Sequence, residues 1–416
     1  MIELYEVDDI LLNNIIKQRA LEVHYQSVVS VIRKSIIGFE GLSRGIGSSG
    51  ELIPPLDLFK AATTSEERVS LDRLCRDKVM EAFVPINQKQ KDLLLFVNID
   101  GSAITEEVVG SGFIINLTNK YNLKPENIVL EIVESEVIDI SSLTKFIQNQ
   151  RNYGFLIALD DVGSGHSNLD RITIAKPDIV KIDSVIIRNM HVDYYKQEVF
   201  KSLVSLSKTL GALVVAEGIE TEEEAMKAIE LGADMLQGYY FSKPQPIDVS
   251  TIKNFKTPVR KLANHYSRYL SEKINIQKKR HKEYSDTIKD VLDDLSEYEE
   301  KRFDFKLMEI IDTYDIFECL YILDPNGIQV TDTITPFANY SKQKGLIFHP
   351  AEKGEDHSLK KYYYFLKNMK LSKYITEPYI SLATGNLCIT MSCVFKNAEN
   401  NKFILCADLN PDYLNF

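Results

Sequence analysis

Six short apolar runs in the first 245 residues end at, or lead into, side chains that could bind a cation or a phosphate. These side chains are Glu40, Asn98, Glu131, the pair Asp160 and Asp161, Lys181 followed by Asp183, and Glu217. Oxygen ligands without His or Cys suit hard cations such as Mg²⁺ and Mn²⁺. A lone carboxylate after a strand is usually a solvated loop residue, but six positions in register are not explained that way. The pattern therefore predicts a divalent-cation site.

Short continuous apolar runs are typical of strands buried on both faces of a parallel sheet. Eight such runs fit between residues 22 and 241, and helical patterns alternate with them from the second run onward. The first two runs, about 22–29 and 36–44, are too close for a parallel crossover and should be antiparallel. The order predicts an α/β fold of the (βα)₈ TIM type, with the polar strand ends at one mouth. A doubly wound open sheet is the alternative, although no Gly-x-Gly-x-x-Gly or Walker loop supports it.

The composition is that of a globular protein with two domains. The chain has 416 residues, of which 44% are hydrophobic and 26% are charged. With 49 Lys and Arg against 60 Asp and Glu, the formal net charge is −11. This balance argues against binding of nucleic-acid polymers or anionic membranes through bulk charge.

The sequence predicts a cytoplasmic protein without a membrane span. No apolar stretch approaches the roughly 20 residues that a spanning helix needs, and the first six residues lack the basic end of a signal peptide. The cysteines are odd in number, lack CxxC spacing and suit buried thiols in a reducing compartment. They are Cys75, Cys319, Cys388, Cys393 and Cys406.

Changes of pattern divide the chain into three parts. Two prolines in 243–246 close the first part. Residues 250–300 carry apolar side chains at 3/4 spacing, which indicates one or two long amphipathic helices. The last hundred or so residues contain strand-like runs and an Asn-Gly turn at 326–327, which favours a small α+β domain. The predicted boundaries are 1–248, 249–302 and 303–416.

Seven segments resemble the EAL-domain family, in the order and spacing of that family. They are Gly38 to Arg44, Val97-Asn98, Glu131 to Glu134, Leu159 to Gly165, Val180 to Asp183, Ala216 to Thr221 and Leu236 to Phe241. The resemblance implies a phosphodiesterase that hydrolyses the bacterial second messenger cyclic di-GMP to linear pGpG. It also implies a modified (βα)₈ barrel with an antiparallel first strand. The signature reads Glu-Gly-Leu where Glu-Ala-Leu is usual, so that Gly41 stands at a position that supplies no ligand.

The resemblance also implies roles for individual residues. Two ions, Mg²⁺ or Mn²⁺, would share the site. The ligands of the first metal would be Glu40, Asn98, Glu131 and Asp160, and those of the second Asp160, Asp161 and, at or near it, Glu217. Lys181 would hold the attacking water, Arg44 would grip a phosphate, and Glu134 would brace the loop after the aspartates. The remaining nucleotide contacts would be Gln26, Leu42, Asp183, Gln237 and Pro244.

The implied chemistry has a physical logic. Two metals lower the pKa of a shared water and neutralise the phosphodiester. Lys181 can orient that water, while either Lys181 or Glu217 could accept its proton. Adjacent strand residues point to opposite faces, so Asp160 and Asp161 can serve both metals only where the chain turns.

Two further expectations concern regulation and assembly. Residues 303–416 more weakly resemble PAS-like or Cache-type sensor domains, which implies an unknown small ligand there and control of the barrel through residues 250–300. The apolar stripe of 250–300 and the pairing habit of EAL domains predict a homodimer. The alternative to an enzyme is a catalytically silent receptor, which would bind cyclic di-GMP and signal through the linker without turning it over.

Overall fold

The computed structural model describes residues 9–104, 106–133, 139–165, 170–336 and 348–410. The chain divides into two compact units, Met1–Arg268 and Tyr269–Phe416. The strands of the first unit are β1 (Leu21–Ser30), β2 (Ser35–Ile46), β3 (Leu52–Ile53), β4 (Leu94–Ile99), β5 (Ile128–Val133), β6 (Leu156–Val162), β7 (Ile179–Ile182), β8 (Leu213–Ala216) and β9 (Met235–Gln237). Its helices are α1 (Asp9–Gln18), α2 (Pro55–Ala61), α3 (Ser65–Lys89), α4 (Glu106–Val109), α5 (Phe113–Lys120), α6 (Ile140–Asn152), α7 (Asp170–Ala175), α8 (Ser184–Ile187), α9 (Tyr194–Thr209) and α10 (Glu222–Glu230).

Eight of these strands close into a barrel, and the predicted fold is confirmed. From β2 the strands pair in parallel through β4, β5, β6, β7 and β8 to β9. Strand β1 closes the ring because it pairs with both β2 and β9, in each case antiparallel. The short connection between β1 and β2 imposes this direction, since a parallel crossover needs a dozen or more residues. Strand β3 extends the sheet beyond β2.

An apolar layer fills the interior of the barrel. Every one of the eight strands contributes to it. The buried side chains are Val28, Phe96, Val129, Ala158, Ile179, Val215 and Met235, and the partly buried ones packed against them are Ile37, Leu94 and Leu156. A second, larger core lies between the sheet and the surrounding helices. Leu71, Leu74, Val79 and Phe83, which predict a helix from their spacing, are buried along α3. The capping box of Thr221 and Glu224 begins α10, as its acidic first turn predicts.

A 40-residue helix, α11 (Lys256–Leu295), follows a short 3₁₀ turn at Thr251–Phe255. The first compact unit extends to Arg268, past the predicted boundary at 248. The physical reason is packing, because Ile252, Phe255 and Val259 are buried in the core of the first unit. The ring of Phe255 packs edge-on against Phe39 of β2, with the ring centroids 5.8 Å apart.

The second unit is built on an antiparallel sheet. Its elements are α12 (Phe303–Thr313), α13 (Lys361–Asn368), β10 (Phe317–Leu323), β11 (Lys373–Ile375), β12 (Tyr379–Ile380), β13 (Leu387–Lys396) and β14 (Lys402–Leu409). The end of α11 belongs to its core through Tyr284, Ile288, Val291 and Leu295. The Asn-Gly turn is present, with Gly327 at φ +91°, but residues 328–333 form only isolated bridges and not a strand. A PAS-like identity for this unit stays a prediction.

None of the described helices is long and apolar enough to cross a membrane.

Gly41 of β2 has a packing reason to differ from the usual alanine. A Cβ atom at this position would lie 2.3 Å from Cγ1 of Val79, on helix α3. A separation that short forces the strand and the helix apart or moves the valine. The Glu-Gly-Leu sequence therefore complements the valine that faces it.

We predict that Gly41→Ala lowers the free energy of unfolding by about 1–3 kcal/mol, because the added methyl overpacks the contact between β2 and α3. Adding Val79→Ala should restore part of that loss, which urea unfolding of both single variants and the double variant would measure as a coupling energy. Gly110→Ala is the matched control, since a Cβ there meets nothing within 4 Å. Strict additivity of the two substitutions would contradict the packing argument.

Candidate functional site

The polar site is the next inward-facing layer of the barrel. Side chains on a strand alternate with a period of two, and on β4 to β9 the site residue follows the apolar-layer residue by two positions. These residues are Asn98, Glu131, Asp160, Lys181, Glu217 and Gln237. Gln26 stands in the same relation on the antiparallel β1. All of them therefore lie at the mouth formed by the carboxyl ends of the parallel strands, as the sequence predicts.

Strand β2 reaches the same layer by a bulge. Val28 of β1 pairs with Gly38 and Val29 pairs with Ile36, so Ile37 is an extra residue without a partner on β1. Both Ile37 and Glu40 then take part in the barrel interior although they are three positions apart. The bulge corrects the alternation of inward and outward side chains, which an uninterrupted strand would have broken.

Lys181 stands among four of the carboxylates and is fully buried. Its Nζ lies 2.6 Å from Oε1 of Glu131 and 2.6 Å from Oε1 of Glu217. The distances to Oδ1 of Asp160 and Oε2 of Glu40 are 3.1 and 3.9 Å. With Asp161, five carboxylates share this mouth with one lysine.

The pKa values of these groups follow from burial and from that imbalance. Burial lowers the pKa of Lys181, but the carboxylates, Asp160 first, overcome it and hold the pKa well above its usual range. Burial raises the pKa of Glu131 well above that of an ordinary glutamate, against the attraction of Lys181. Burial also raises the pKa of Glu217, and repulsion by Asp160 adds to this. Without a further cation, Glu131 and Glu217 therefore favour their protonated forms, and a cation bound at the mouth would favour the charged forms.

Glu40 is the exception, because side-chain amides stabilise its charged form. Asn98 donates from Nδ2 to Oε1 over 2.7 Å, and Gln237 donates from Nε2 to Oε2 over 2.6 Å. Burial raises the pKa of Glu40, but Lys181 and these two amides outweigh it, and the pKa is lowered. A glutamate with a lowered pKa is ionised and oriented before any ligand arrives.

Gln26 and Gln237 form one buried network with Glu40. Nε2 of Gln237 is also 3.2 Å from Oε1 of Gln26, and Gln26 donates to the carbonyl oxygen of Ser242 over 3.1 Å. Family resemblance places both glutamines around the nucleotide, and both do line the cavity at the mouth. Their contacts to Glu40 add a positioning role that the sequence pattern did not indicate. Ser242 is a further member that sequence reasoning missed, since its position in the turn before Pro244 carries no signal.

The two adjacent aspartates converge because the backbone turns between them. Asp161 has φ +55°, in the left-handed region, and the pairing of β6 with β7 shifts register between Leu159 and Val162. The glycines that follow at 163 and 165 have φ +98° and +96°. As a result, Asp160, Asp161 and Glu217 each offer a carboxylate oxygen within 4.8 Å of the others. The turn predicted from sequence is therefore present, although it begins within β6 and not after it.

Two cavities adjoin at the carboxylates. One, of about 490 Å³, is lined by Lys181, Glu217, Ser184, Arg188 and Tyr239 among others. The second, of about 330 Å³, contains Leu42, Phe59, Arg68 and Asn98. Glu40, Asp160 and Asp161 line both, so a ligand on these carboxylates could extend in two directions.

Three of the predicted substrate contacts do not line either cavity in the part of the chain that the structure describes. They are Arg44, Asp183 and Pro244. Arg44 donates instead to the carbonyl oxygen of Ser43 over 2.8 Å. Asp183 caps α8 by accepting from the backbone N–H of Val185 over 2.7 Å. Glu134 lies outside the described residues. Arg188, Ser184 and Tyr239 line the larger cavity without having been predicted from sequence.

The donor set fits a divalent metal. It consists of carboxylates and one amide, the ligands of hard cations. Oε1 of Glu131 is paired with Nζ of Lys181 over 2.6 Å, whereas Oε2 is buried without a hydrogen bond from any described group. A buried anionic oxygen without a hydrogen bond is costly, and a bound cation would remove that cost.

Known sequences resemble this chain, chiefly over the barrel. The family model described as "EAL domain" matches residues 9–244. YkuI, an EAL-domain-containing protein of Bacillus subtilis, is 26% identical over 409 residues, which cover 94% of each chain. PdeB of Escherichia coli, a probable cyclic di-GMP phosphodiesterase, is 29% identical over 235 residues, or 56% of this chain and 45% of PdeB. The chain also spans only 30% of the signalling protein YkoW of B. subtilis.

Solved structures extend the likeness to the fold. The crystal structure of B. subtilis YkuI in complex with substrate c-di-GMP and calcium superposes with a TM-score of 0.74, covers 96% of this chain and 98% of its own, and is 24% identical. At that identity the likeness shows the fold alone. The PaMucR phosphodiesterase in its c-di-GMP complex has a TM-score of 0.51 at 25% identity, over 56% of this chain and 96% of its own.

We predict that Asp161 makes the stability of the metal-free protein depend on pH. Burial, and then repulsion by Asp160, raise the pKa of Asp161 from 3.8 to about 6. The folded state thus binds this proton more tightly than the unfolded state, so the contribution is fully present below pH 3.8 and is lost as pH rises through about 6. In EDTA, Asp161→Asn should raise the Tm more at about pH 7.5 than at about pH 5. An equal change at both pH values would contradict the assignment.

Proposed function

Because the chain belongs to the EAL-domain family, we propose that its barrel hydrolyses cyclic di-GMP to linear pGpG with the help of two Mg²⁺ or Mn²⁺ ions. The observation that carries this proposal is the charge of the inward-facing layer. Four carboxylates surround Lys181 and a fifth, that of Asp161, adjoins two of them, which leaves a formal excess of four negative charges. Two divalent cations would supply four positive charges. A dianionic substrate would meet strong repulsion at this mouth without them.

The proposed ligand sets use the convergence of the carboxylates. Glu40, Asn98, Glu131 and Asp160 would hold one ion. Asp160, Asp161 and Glu217, whose oxygens already approach one another within 4.8 Å, would hold the other. When bound, the ions neutralise the phosphodiester and acidify a water molecule.

Lys181 and Glu217 have separate tasks in this proposal. The carboxylates around Nζ keep Lys181 protonated, so Nζ donates a hydrogen bond to the attacking water and orients it. A protonated ammonium has no lone pair to accept a proton. We therefore assign proton acceptance to Glu217, whose Oε1 lies 2.6 Å from Nζ of Lys181.

The two adjoining cavities suit a ligand with two arms. A cyclic dinucleotide places one base on each side of its phosphate ring. The smaller cavity offers the apolar side chains of Leu42, Leu56 and Phe59 beside the ion pair of Asp72 with Arg76. The larger one offers Tyr239 and Arg188. We assign a base to each cavity, with the scissile phosphate at the carboxylates that both share.

We predict that the protein forms pGpG from cyclic di-GMP in Mn²⁺ or Mg²⁺ and none in EDTA. Chromatography of the reaction mixture measures both nucleotides directly. The competing function, a receptor that binds without turnover, predicts tight binding and unchanged cyclic di-GMP under every metal condition. A protein that neither binds nor hydrolyses the nucleotide would contradict both.

We predict that Glu40→Ala abolishes turnover and that Lys181→Ala lowers kcat by at least about 100-fold with a smaller effect on KM. Glu40 would hold a metal, whereas Lys181 would act on the water and contribute little to substrate affinity. Glu126→Ala is the matched control, because this exposed glutamate lies at the opposite, amino end of β5. Near wild-type kcat in the Lys181 variant would show that another group orients the water.

The homodimer, and control of the barrel by residues 303–416 through residues 250–300, also stay proposals. The apolar stripe of residues 250–300 no longer requires a partner chain to bury it. Val259 and Leu262 are buried in the core of the first unit, and Tyr284 and Ile288 in that of the second. The other reason for expecting a dimer, that EAL domains commonly pair, is unaffected. We predict a dimer in sedimentation velocity of the full chain, and a monomer at all concentrations would end this proposal.

A further inference from the structure

Arg68, near the start of α3, lines the smaller cavity at the mouth of the barrel, and three groups hold its guanidinium. Nε donates to the carbonyl oxygen of Ala62 over 3.0 Å, and Nη1 donates to Oγ of Ser102 over 2.9 Å. Oδ2 of Asp100 lies 3.7 Å from Nη1. The backbone is fixed as well, because the N–H of Arg68 donates to the carbonyl oxygen of Thr64. The guanidinium is therefore oriented before any ligand arrives.

These contacts leave part of the guanidinium of Arg68 available to a ligand. Its Nη2 makes no hydrogen bond with any residue that the structure describes, and the side chain is 37% exposed. The other arginine that lines this cavity, Arg76, is 3% exposed and pairs with the buried Asp72. Arg68 is not among the residues that the family resemblance assigns to the nucleotide. Of the arginines of this cavity, as far as the structure describes it, Arg68 is thus the one with exposed donors to offer a ligand.

The cavity beside Arg68 suits a flat aromatic base. Its apolar walls include Leu42, Leu56 and Phe59. A cavity of about 150 Å³ holds benzene, so the volume of about 330 Å³ is enough for a purine. Guanine and adenine differ on the edge that arginine reads, because guanine presents the acceptors O6 and N7, whereas adenine presents N7 beside an N6 amino group that donates. A guanidinium can therefore pair with both groups of guanine, but against adenine one N–H meets another.

We propose that Arg68 selects guanine over adenine by donating from its free N–H groups to O6 and N7 of the base in this cavity. The inference rests on the proposed function, which places one base of cyclic di-GMP in the smaller cavity. A well-placed bidentate pair discriminates against the wrong base by about 5- to 150-fold. Because the guanidinium is already oriented, little of this preference is lost in ordering the side chain.

The test measures binding to the full chain, so that it does not depend on turnover. Calorimetry in Ca²⁺, the ion of the YkuI complex, compares cyclic di-GMP, cyclic di-AMP and cyclic di-IMP, and chromatography afterwards verifies that each nucleotide is intact. The hypoxanthine bases of cyclic di-IMP keep O6 and N7 but lack the 2-amino group of guanine. Arg68→Met removes the donors, and Arg68→Lys keeps the charge without the planar fork. Arg33→Met is the matched control, because Arg33 is exposed in the turn between β1 and β2, at the end of the barrel away from the mouth.

We expect Arg68→Met to weaken the binding of cyclic di-GMP and of cyclic di-IMP by about 5- to 150-fold, and that of cyclic di-AMP by less than about threefold, since salt screens the charge alone. Arg68→Lys should fall between the wild type and Arg68→Met. Arg33→Met should change each Kd by less than about twofold, because exposed charges contribute little. Partial unfolding of a variant would weaken the binding of all three nucleotides alike, so a selective loss is not a loss of folding.

Three results would overturn the proposal. Equal losses for cyclic di-GMP and cyclic di-AMP would show that Arg68 only attracts the phosphates. A loss for cyclic di-GMP without one for cyclic di-IMP would show that the 2-amino group is read and not O6 and N7. Wild-type selectivity in both Arg68 variants would show that Arg68 reads no base. In each of these cases the wild type still binds cyclic di-GMP, whereas a wild type that binds none of it contradicts the proposed function itself.

Discussion

The ion cluster around Lys181 is the interaction on which the mouth of the barrel depends. Removing a carboxylate from water is costly, and two carboxylates in contact repel each other as well. The ammonium of Lys181 lies within 3.1 Å of three of them and so offsets the repulsion that would otherwise open the layer. It does not neutralise the layer. The formal excess of negative charge favours binding of a cation at this mouth.

The barrel fixes where that charge lies. Its strands are held by the apolar layer beneath, to which every strand of the barrel contributes, and the polar layer follows at the next inward position. Neighbouring strands lie about 4.8 Å apart, so inward side chains of one layer lie close enough to contact one another. Regular pairing is interrupted at Ile37 and at Asp161. At these two places the interruption turns a carboxylate toward the mouth that regular alternation would have pointed to the other face.

Much of this arrangement can be read from the sequence. Apolar runs that end in Glu131, Asp160 or Glu217 identify the strands and the mouth together, because a strand buried on both faces has few polar positions. The short β1–β2 connection predicts the antiparallel strand for a steric reason. The bulge at Ile37 could not be predicted, since it depends on how β1 pairs with β2. The contact of Gln237 with Glu40 joins residues 197 positions apart and leaves no local pattern. The sequence predicts a linker over 249–302, whereas Ile252, Phe255, Val259, Leu262 and Ala263 belong to the core of the first unit. Amphipathic spacing shows that a face is buried, but not which core buries it.

The contact between Phe39 and Phe255 gives the strand that carries Glu40 a mechanical connection. Phe39 precedes Glu40 by one residue and points to the other face of β2, where the ring of Phe255 rests against it. Phe255 is the last residue before α11 begins. Close-packed side chains have low compressibility. A displacement of the first turn of this helix would therefore be transmitted to β2 through the two rings. The position of Glu40 is thus coupled, through Phe39 and Phe255, to the start of α11, the longest helix that the structure describes.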